Sequence, residues 1–197
     1  MNEISKRLRE NFIFKIIPML NPDGVIIGNY RCSLVGADLN RRWKNPNKVC
    51  HPTIYYAKQL FIKSQKEKPI SLFCDFHGHS RHKDCFMYGC SNHKNNKKII
   101  SKLFPLVLSK KCKYFRFENC KFGQHPKMER TARISLWREL KINEVYTLEC
   151  SFCGTQNGNL FSIEMLKQIG IDFCNSIAEY FEIFEEYFKI GKLMITL

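Results

Sequence analysis

The stretch LFCDFHGHSRH, residues 72–82, places His77, His79 and His82 within six residues, close behind Asp75. Imidazole is a common metal ligand in proteins, so this stretch is a candidate metal site. A single histidine after a strand is more often a hydrogen-bonded structural residue, and that interpretation stays open for each of the three. A metal site would also need further ligands elsewhere in the sequence.

The cysteines near this stretch do not have the spacing of a zinc finger. Cys85, Cys90 and His93 follow the histidines, but no C-x2-C pair precedes them. The C-x2-C pair within residues 150–153 stands without a second pair nearby. A structural zinc module is therefore the less favoured interpretation.

A carboxylate with the properties of a general acid or base lies further along the chain. Glu149 occurs in VYTLECSF, among Val145, Leu148 and Phe152. Burial in such a strand raises the pKa of a carboxyl group toward neutrality, as proton transfer requires. The alternative is a glutamate on the solvent face of the strand, and the sequence slightly favours the functional interpretation.

Two arginines in the N-terminal third could bind an anion. Arg31 and Arg41 both lie in loop sequence, and Asn40 directly precedes Arg41 in DLNRRW. The guanidinium fork suits two-point recognition of a carboxylate, and Asn40 and Arg41 could face the same one. Surface arginines that touch nothing remain the alternative for both.

Alternating strand and helix patterns predict an α/β domain with a mixed, mostly parallel sheet flanked by helices. The predicted strands are residues 12–19, 69–76, 85–89, 113–117 and 144–152. The predicted helices are residues 51–68, 97–110 and 160–189, the last with a break near residues 169–172. In the last helix, Phe173, Ile177, Phe181, Phe184 and Phe188 form an apolar stripe that is expected to face the core.

The polar motifs follow the predicted strands. Sheets of this type bind ligands at the carboxyl ends of their strands. NPDG at 21–24, HGHS at 77–80 and ECSF at 149–152 all fall there. Residues 20–50 have no sustained periodicity, and long irregular segments in compact domains are usually functional.

Composition limits the partners of the chain. Its 197 residues carry 32 basic and 18 acidic side chains, a formal net charge of +14. This charge favours an acidic partner, although a solvated lysine-rich surface would also account for it. No nucleic-acid-binding motif is present, so nucleic acid is not an expected partner. The oligomeric state is left open.

The cysteines and the apolar runs indicate the compartment. Ten cysteines occur without an apolar leader sequence at the N-terminus, which favours a reducing, cytoplasmic location. No apolar run reaches the roughly 18–20 residues that a spanning helix needs, so no membrane association is expected.

Taken together, four segments in this order resemble the M14 zinc metallocarboxypeptidases, in particular the cytosolic carboxypeptidases that remove glutamates from tubulin tails. The segments are FIFKIIPMLNPDGVIIGNYRCSLVGADLNRRW, CDFHGHSR, TARISLWREL and YTLECSFCG. The resemblance makes residues 1–197 a partial catalytic domain, with a core match over about 8–158 and a C-terminal helical segment at 159–197. NPDG alone would be weak support for the resemblance, whereas four motifs in the family's order are specific to the family.

The resemblance implies a role for each matching residue. His77 corresponds to a zinc ligand, Glu149 to the general base, and Arg31 to the arginine that stabilises the oxyanion. Asn40 and Arg41 correspond to the pair that binds the terminal carboxylate of the substrate. Arg133, in TARIS, corresponds to a residue of the pocket for an acidic terminal side chain. The implied cofactor is Zn²⁺, the implied partner is an acidic C-terminal protein tail, and the implied location is cytoplasmic, with microtubule or cilium association.

The sequence departs from this family in one respect. The His-Pro-Gly-Glu motif that carries two further zinc ligands is absent, and the His-Pro at 51–52 lacks the glutamate and starts a predicted helix. The fold is therefore expected to be N-terminally incomplete and the chain alone inactive, since catalytic zinc normally uses three protein ligands. A fragment of an active enzyme, a short paralogue that binds acidic tails without cutting them, and a site completed by a partner chain all remain open; the first is favoured.

Overall fold

A computed structural model describes residues 3–91 and 97–195, with side chains described within 3–91 and 100–182. His93, from the cysteine and histidine cluster, lies outside the described residues, as do the side chains of Phe184 and Phe188 from the predicted apolar stripe.

A three-stranded mixed sheet forms the centre of the described chain. The strands are β1 (Phe73–His79), β2 (Cys85–Gly89) and β3 (Val145–Ser151), in the spatial order β1-β3-β2. β1 pairs with β3 in parallel and β2 pairs with β3 antiparallel. The predicted α/β fold with a mixed sheet flanked by helices is confirmed, with one pairing of each kind.

Six α-helices surround this sheet in the described residues. They are α1 (Glu3–Asn11), α2 (Pro22–Ile27), α3 (Pro52–Glu67), α4 (Lys97–Lys111), α5 (Ala132–Leu140) and α6 (Ile163–Ile195). Three short 3₁₀ segments lie at Leu39–Arg41, Phe117–Asn119 and Pro126–Met128. None of the helices in this part of the chain has both the length and the hydrophobicity that crossing a membrane requires.

The main core lies on one face of the sheet. Cys85 and Met87 of β2 and Tyr146 and Leu148 of β3 pack there against residues of α4 and α6, including Phe104. Side chains alternate between the two faces of a strand, so the intervening residues of β1, β2 and β3 face the other way. The larger apolar core therefore occupies one side and leaves the other side available for polar groups.

A second apolar cluster supports the opposite face at the start of the strands. It contains Trp43, Ile54, Ile134 and Val145, which come from the loop after the first 3₁₀ segment, from α3, from α5 and from β3. Trp43 is only 2% exposed. This cluster fixes the loop that carries Asn40 and Arg41 against the sheet.

Most of the long elements agree with the sequence prediction. Helix α3 begins at Pro52 as expected, α4 covers residues 97–111, and β2 and β3 match the predicted strands within about two residues. Phe173 and Ile177 of the apolar stripe are buried. Helices α1, α2 and α5 were not predicted, because they are short, with nine, six and nine residues, and so show little periodicity.

Residues 12–19 do not form the predicted buried strand. They have no regular secondary structure and pair with no strand in the described residues, and Ile16 is 82% exposed. A run rich in isoleucine and phenylalanine favours a strand, but a strand also needs a neighbour that accepts its backbone hydrogen bonds. The prediction from the apolar pattern is therefore wrong for this structure.

Three further predictions need correction. Residues 113–117 contribute only a single bridge, between Phe115 and Cys85, because the preceding residues form the turn after α4. β1 begins at Phe73 and not at residue 69, and it continues through His77 to His79. Helix α6 runs without the predicted break, since the burial of Ile169 and Phe173 outweighs the cost of about 1 kcal/mol for Gly170.

A buried carboxyl group precedes β3. Glu144 is 5% exposed and accepts a hydrogen bond from the hydroxyl of Tyr146. Its burial raises the pKa to about 7, against the opposing effect of hydrogen bonds from Tyr146 and Tyr180. Glu144 is therefore a neutral or half-ionised group inside the main core near neutral pH.

This raised pKa predicts a pH-dependent stability. A carboxyl group whose pKa is higher in the folded than in the unfolded state stabilises the fold below its unfolded pKa of 4.5 and loses that effect as the pH rises to about 7. The free energy of unfolding should fall by about 3 kcal/mol across this window, as measured by urea denaturation.

The variant Glu144→Gln should remove most of this decline, and Glu118→Gln, at an exposed position, should leave it unchanged. A decline of equal size in the wild type and in Glu144→Gln would contradict the assignment.

Candidate active site

Two of the predicted site residues lie side by side on the sheet. His77 of β1 is the register partner of Glu149 of β3. Phe76, the neighbour of His77, packs against Phe173 of α6, and Leu148, the neighbour of Glu149, lies in the main core. By alternation His77 and Glu149 therefore both point to the face opposite α4 and α6.

His77 is held by two polar side chains. Its Nε2 lies 2.8 Å from Oδ2 of Asp75 and 3.5 Å from Nδ2 of Asn40. Burial acts to lower the pKa of His77, but the hydrogen bond and charge of Asp75, together with the charge of Glu149, outweigh it and raise the pKa. The imidazole therefore lies in a half-buried, net negative environment that suits a cation or a bound proton.

Asp75 was not predicted as a site residue. Residues two positions apart on a strand share a face, so Asp75 and His77 point to the same side of β1. The sequence contained this signal in the alternation of CDFHGH. It was missed because His77 was expected to follow the strand and not to lie within it.

Glu149 is buried, as the sequence predicted. It is 9% exposed, and its pKa is raised by burial and by the charge of Asp75, while His77, Arg31 and Arg133 act in the opposite direction. A carboxylate in such surroundings binds a proton more readily than an exposed one does. Its environment is therefore suited to general acid–base chemistry.

A second histidine approaches the same carboxylate. Nδ1 of His79 lies 3.8 Å from Oε2 of Glu149, and the ring of His79 stacks on that of His82 with 5.4 Å between centroids. Burial lowers the pKa of His79, and the charges of His82 and Arg81 lower it further. His79 is therefore a neutral neighbour of Glu149 at neutral pH.

Arg31 acts on the site through its charge. Its Nε donates to Oδ2 of Asp38 at 2.6 Å, and this hydrogen bond is the main cause of the raised pKa of Arg31. The pKa values of His77 and Glu149 are raised overall, and the positive charge of Arg31 acts against this rise in both. Asp38 therefore holds an arginine whose charge acts on both candidate catalytic groups.

Arg133 is a buried residue of helix α5. It lies at the start of α5, where Nη1 donates to the carbonyl of Gly89 and lies 3.2 Å from Sγ of Cys90. Its guanidinium carbon lies 5.9 Å from the ring centre of Tyr88. The charge of Arg133 reaches Glu149, while its hydrogen bonds hold the end of β2.

Asn40 and Arg41 differ in what their side chains contact. The side chain of Asn40 reaches His77 and also accepts a hydrogen bond at 2.9 Å from the backbone N–H of Ala132 at the start of α5. Nη1 of Arg41 donates to the carbonyl of Asn40 at 2.9 Å and lies 3.9 Å from Asp38. The structure thus brings Asn40 into the cluster, while Arg41 lies at its margin.

The described side chains do not by themselves form a complete metal site. Among the side chains of residues 3–91 and 100–182, no group of three or more His, Cys, Asp or Glu is arranged to hold a metal ion. His77 has Asp75 and Glu149 beside it, but three-ligand zinc coordination is not met within this part of the chain.

Comparison with known protein families identifies the chain. The model of the zinc carboxypeptidases, Peptidase M14, matches residues 1–157. The chain belongs to this family. The match includes every residue of the cluster described above.

Curated relatives named cytosolic carboxypeptidases are similar to the chain over most of its length. It is 44% identical over 179 residues to cytosolic carboxypeptidase 2 of Danio rerio and 45% identical over 180 residues to that of Mus musculus. It is 41% identical over 185 residues to cytosolic carboxypeptidase 3 of Mus musculus. These alignments cover 88%, 88% and 89% of this chain but only 25%, 20% and 18% of the relatives, so the chain spans a quarter of their length or less.

Solved structures share the fold. A metallo-carboxypeptidase from Burkholderia cenocepacia superimposes with a TM-score of 0.79 at 20% identity, over 92% of this chain and 48% of that one. A metallo-carboxypeptidase from Pseudomonas aeruginosa gives 0.72 at 23% identity, over 84% and 45%. The zinc carboxypeptidase-like fold predicted from the sequence is confirmed.

The side chain of Asn40 joins His77 of β1 to the start of α5, so its removal should destabilise the fold. In Asn40→Ala the N–H of Ala132, which is fully buried, loses its acceptor. The free energy of unfolding should fall by about 1–3 kcal/mol, the cost of an unsatisfied buried donor, as measured by urea denaturation.

The matched control is Asn45→Ala, at an exposed position in the same loop. It should change the stability by no more than about 0.5 kcal/mol. An equally small change for Asn40→Ala would show that the bridge is not structural.

Proposed function

We propose that this chain functions in a zinc-dependent metallocarboxypeptidase that removes C-terminal glutamates from proteins, with polyglutamylated tubulin as the substrate. The family match and the similarity to proteins named cytosolic carboxypeptidases support the reaction class and a cytoplasmic location. Action at microtubules or cilia is part of the proposal. The observation that carries it is the pairing of His77 with Glu149 on one face of the sheet, within reach of the charges of Arg31 and Arg133.

Each residue of the cluster has a role in this proposal. Glu149 accepts a proton from the attacking water and passes it to the leaving amine, for which its raised pKa is suited. Arg31 faces the negative charge that develops on the scissile carbonyl oxygen. Asn40 and Arg41 bind the terminal carboxylate, and the charge of Arg133 favours an acidic terminal side chain.

The zinc ion belongs to the family and needs ligands beyond those described. His77 is the residue that we propose as a ligand from this chain, with Asp75 as its hydrogen-bond partner. Such a carboxylate partner orients a ligating histidine and strengthens it as a donor. Because no set of three ligands is present in the described side chains, we expect the chain alone to bind zinc weakly.

A second candidate function is a non-catalytic module that binds acidic C-terminal tails. Two observations favour it: the described residues lack a three-ligand metal site, and the net charge is +14. This module would use Arg31, Arg41 and Arg133 for binding and would leave Glu149 without a catalytic role.

The incomplete ligand set predicts that the 197-residue chain alone has no peptidase activity. Incubated with zinc and a peptide that ends in glutamate, it should release no free glutamate above a protein-free control, as measured by mass spectrometry. Metal analysis after dialysis should find much less than one zinc per chain. Glutamate release that a chelator abolishes would contradict the prediction.

A chimera tests the catalytic role directly. This chain should replace the aligned region of cytosolic carboxypeptidase 2 of Danio rerio, to which it is 44% identical, without loss of glutamate release. In that chimera Glu149→Gln should lower kcat at least about 100-fold, because general acid–base groups contribute about that much or more.

The matched control, Glu118→Gln, changes an exposed glutamate and should leave kcat unchanged. An active Glu149→Gln chimera would exclude Glu149 as the base. An inactive but folded wild-type chimera that still binds acidic peptides would favour the non-catalytic module.

A further inference from the structure

Two cysteines lie opposite each other on neighbouring strands of the sheet. Cys85 of β2 is the register partner of Cys150 of the antiparallel strand β3. Residues directly opposite each other in a sheet project from the same face. Cys85 is buried in the main core, and Cys150 packs against that core. Both thiols therefore lie on the apolar face of the sheet, and the side chain of Glu149 points to the other face.

The backbone geometry at this pair favours a close approach of the two residues. The N–H of Cys85 donates to the carbonyl of Tyr114 at 2.8 Å, and its carbonyl accepts from the N–H of Arg116 at 2.7 Å. The backbone polar groups of Cys85 therefore face away from β3, which makes Cys85 and Cys150 a non-hydrogen-bonded pair. The Cα atoms of such a pair lie about 4.5 Å apart, within the range of about 4.4–6.8 Å that a disulfide spans.

Backbone hydrogen bonds hold the strand ends beside this pair. The N–H of Ser151 donates to the carbonyl of Asp84 at 3.1 Å, and the N–H of Asp84 donates to the carbonyl of Gly154 at 2.9 Å. The carboxylate of Asp84 is buried and accepts a hydrogen bond from Nε of Arg116 at 2.6 Å. These bonds keep β2 and β3 in register, so the two thiols remain opposite each other in the folded chain.

The two thiols differ in their access to solvent and in their reactivity. Cys85 is fully buried, whereas Cys150 is partly exposed. Hydrogen bonding with the thiol of Cys85 lowers the pKa of Cys150, although burial acts in the opposite direction. Because the thiolate is the form that reacts with peroxides, Cys150 is the residue that an oxidant reaches first. Cys85 is then the neighbour that can complete the reaction.

We propose that Cys85 and Cys150 are a modification site, at which hydrogen peroxide forms a disulfide between β2 and β3. The thiolate of Cys150 attacks one peroxide oxygen, the O–O bond breaks, and hydroxide leaves, so that Cys150 becomes a sulfenic acid. The sulfur of Cys85 attacks the sulfur of Cys150, and the departing hydroxyl takes the proton of Cys85 and leaves as water. In total the two thiols are oxidised to one disulfide and the peroxide is reduced to two waters.

This site does not depend on the proposed function. Disulfides that form in a reducing compartment are transient and redox-sensing, and thiol reductants reverse them. The bridge would join β2 covalently to the strand that carries Glu149. Oxidation would therefore act on the strand of a candidate catalytic residue without touching that residue.

Two further cysteines lie close to the pair in the sequence, but their sulfur atoms contact other groups. Sγ of Cys90 is buried and lies 3.2 Å from Nη1 of Arg133. Sγ of Cys153 lies 3.4 Å from the carbonyl of Ser80. Neither residue has a cysteine as its register partner in the described sheet. Cys90 and Cys153 are therefore the matched controls for Cys85 and Cys150.

The positions of lysine and arginine make these controls necessary. Trypsin cuts after both residue types, so Cys85 and Cys90 remain together in one peptide. Cys150 and Cys153 remain together in a second peptide. The two peptides are residues 84–94 and 142–167. A link between them identifies the peptides, and the variants identify the cysteines.

The test oxidises the folded 197-residue chain with hydrogen peroxide, blocks the remaining thiols with iodoacetamide and digests the protein with trypsin in the absence of reductant. Mass spectrometry then measures every disulfide-linked pair of peptides. The pair variants are Cys85→Ala and Cys150→Ala, and the controls are Cys90→Ala and Cys153→Ala. If Cys85→Ala does not fold, Cys85→Val keeps the buried position apolar and takes its place. A parallel sample of the wild type is oxidised in urea.

In the folded wild type, the link between peptides 84–94 and 142–167 should be at least about tenfold more abundant than any other, because neighbouring thiols react at a high effective concentration. It should persist in both controls, disappear in both pair variants, lose its predominance in urea and be reversed by dithiothreitol. Its persistence in a pair variant, its loss in a control or equal predominance in urea would overturn the proposal. So would a dominant link to another cysteine, such as Cys112, or a wild type that forms no disulfide. Because the measured quantity is a link and not an activity, the result does not depend on whether the chain is part of a peptidase.

Discussion

The parallel pairing of β1 with β3 is the constraint on which the candidate site depends. Parallel register places His77 directly beside Glu149, and a shift of one residue would send one of the two side chains into the apolar core. The register is supported from the other face, where Leu148 is buried in the main core and Phe76 contacts Phe173 of α6. Burial of apolar surface on one side of the sheet thus sets the geometry of the polar groups on the other side. The alternation of side chains along the strands therefore places the apolar core on one face of the sheet and the candidate catalytic groups on the other.

Burial and charge are balanced within the polar face. Asp75 and Glu149 are two carboxylates in a half-buried environment, and such groups are costly without compensating charge. His77, Arg31 and Arg133 provide that charge from a strand, a loop and a helix. Each pKa therefore reflects several elements at once. The raised pKa of Glu149 persists because its burial outweighs the three cations that act on it.

The arginines divide into two groups with different environments. Arg133 is buried, bonded to the end of β2, and acts on Glu149 through its charge. Arg41, Arg42 and Arg130 surround a cavity at the margin of the cluster, where the described residues provide few acidic partners. The excess of positive charge in the composition is therefore not spread uniformly, because part of it converges on this cavity from two segments of the chain.

The sequence alone determined the long elements and the identity of the chemical groups, because both depend on local periodicity and on residue type. Helices α3 and α4, strands β2 and β3 and the burial of Glu149 could all be predicted in this way. The motifs also predicted the family. The tertiary structure decided the remainder, since a strand exists only where a neighbour accepts its hydrogen bonds; residues 12–19 have the composition of a strand but not the neighbour. Packing alone brought Asn40 to His77 and placed Arg42 and Arg130 around one cavity, because these contacts join segments that are far apart in the chain.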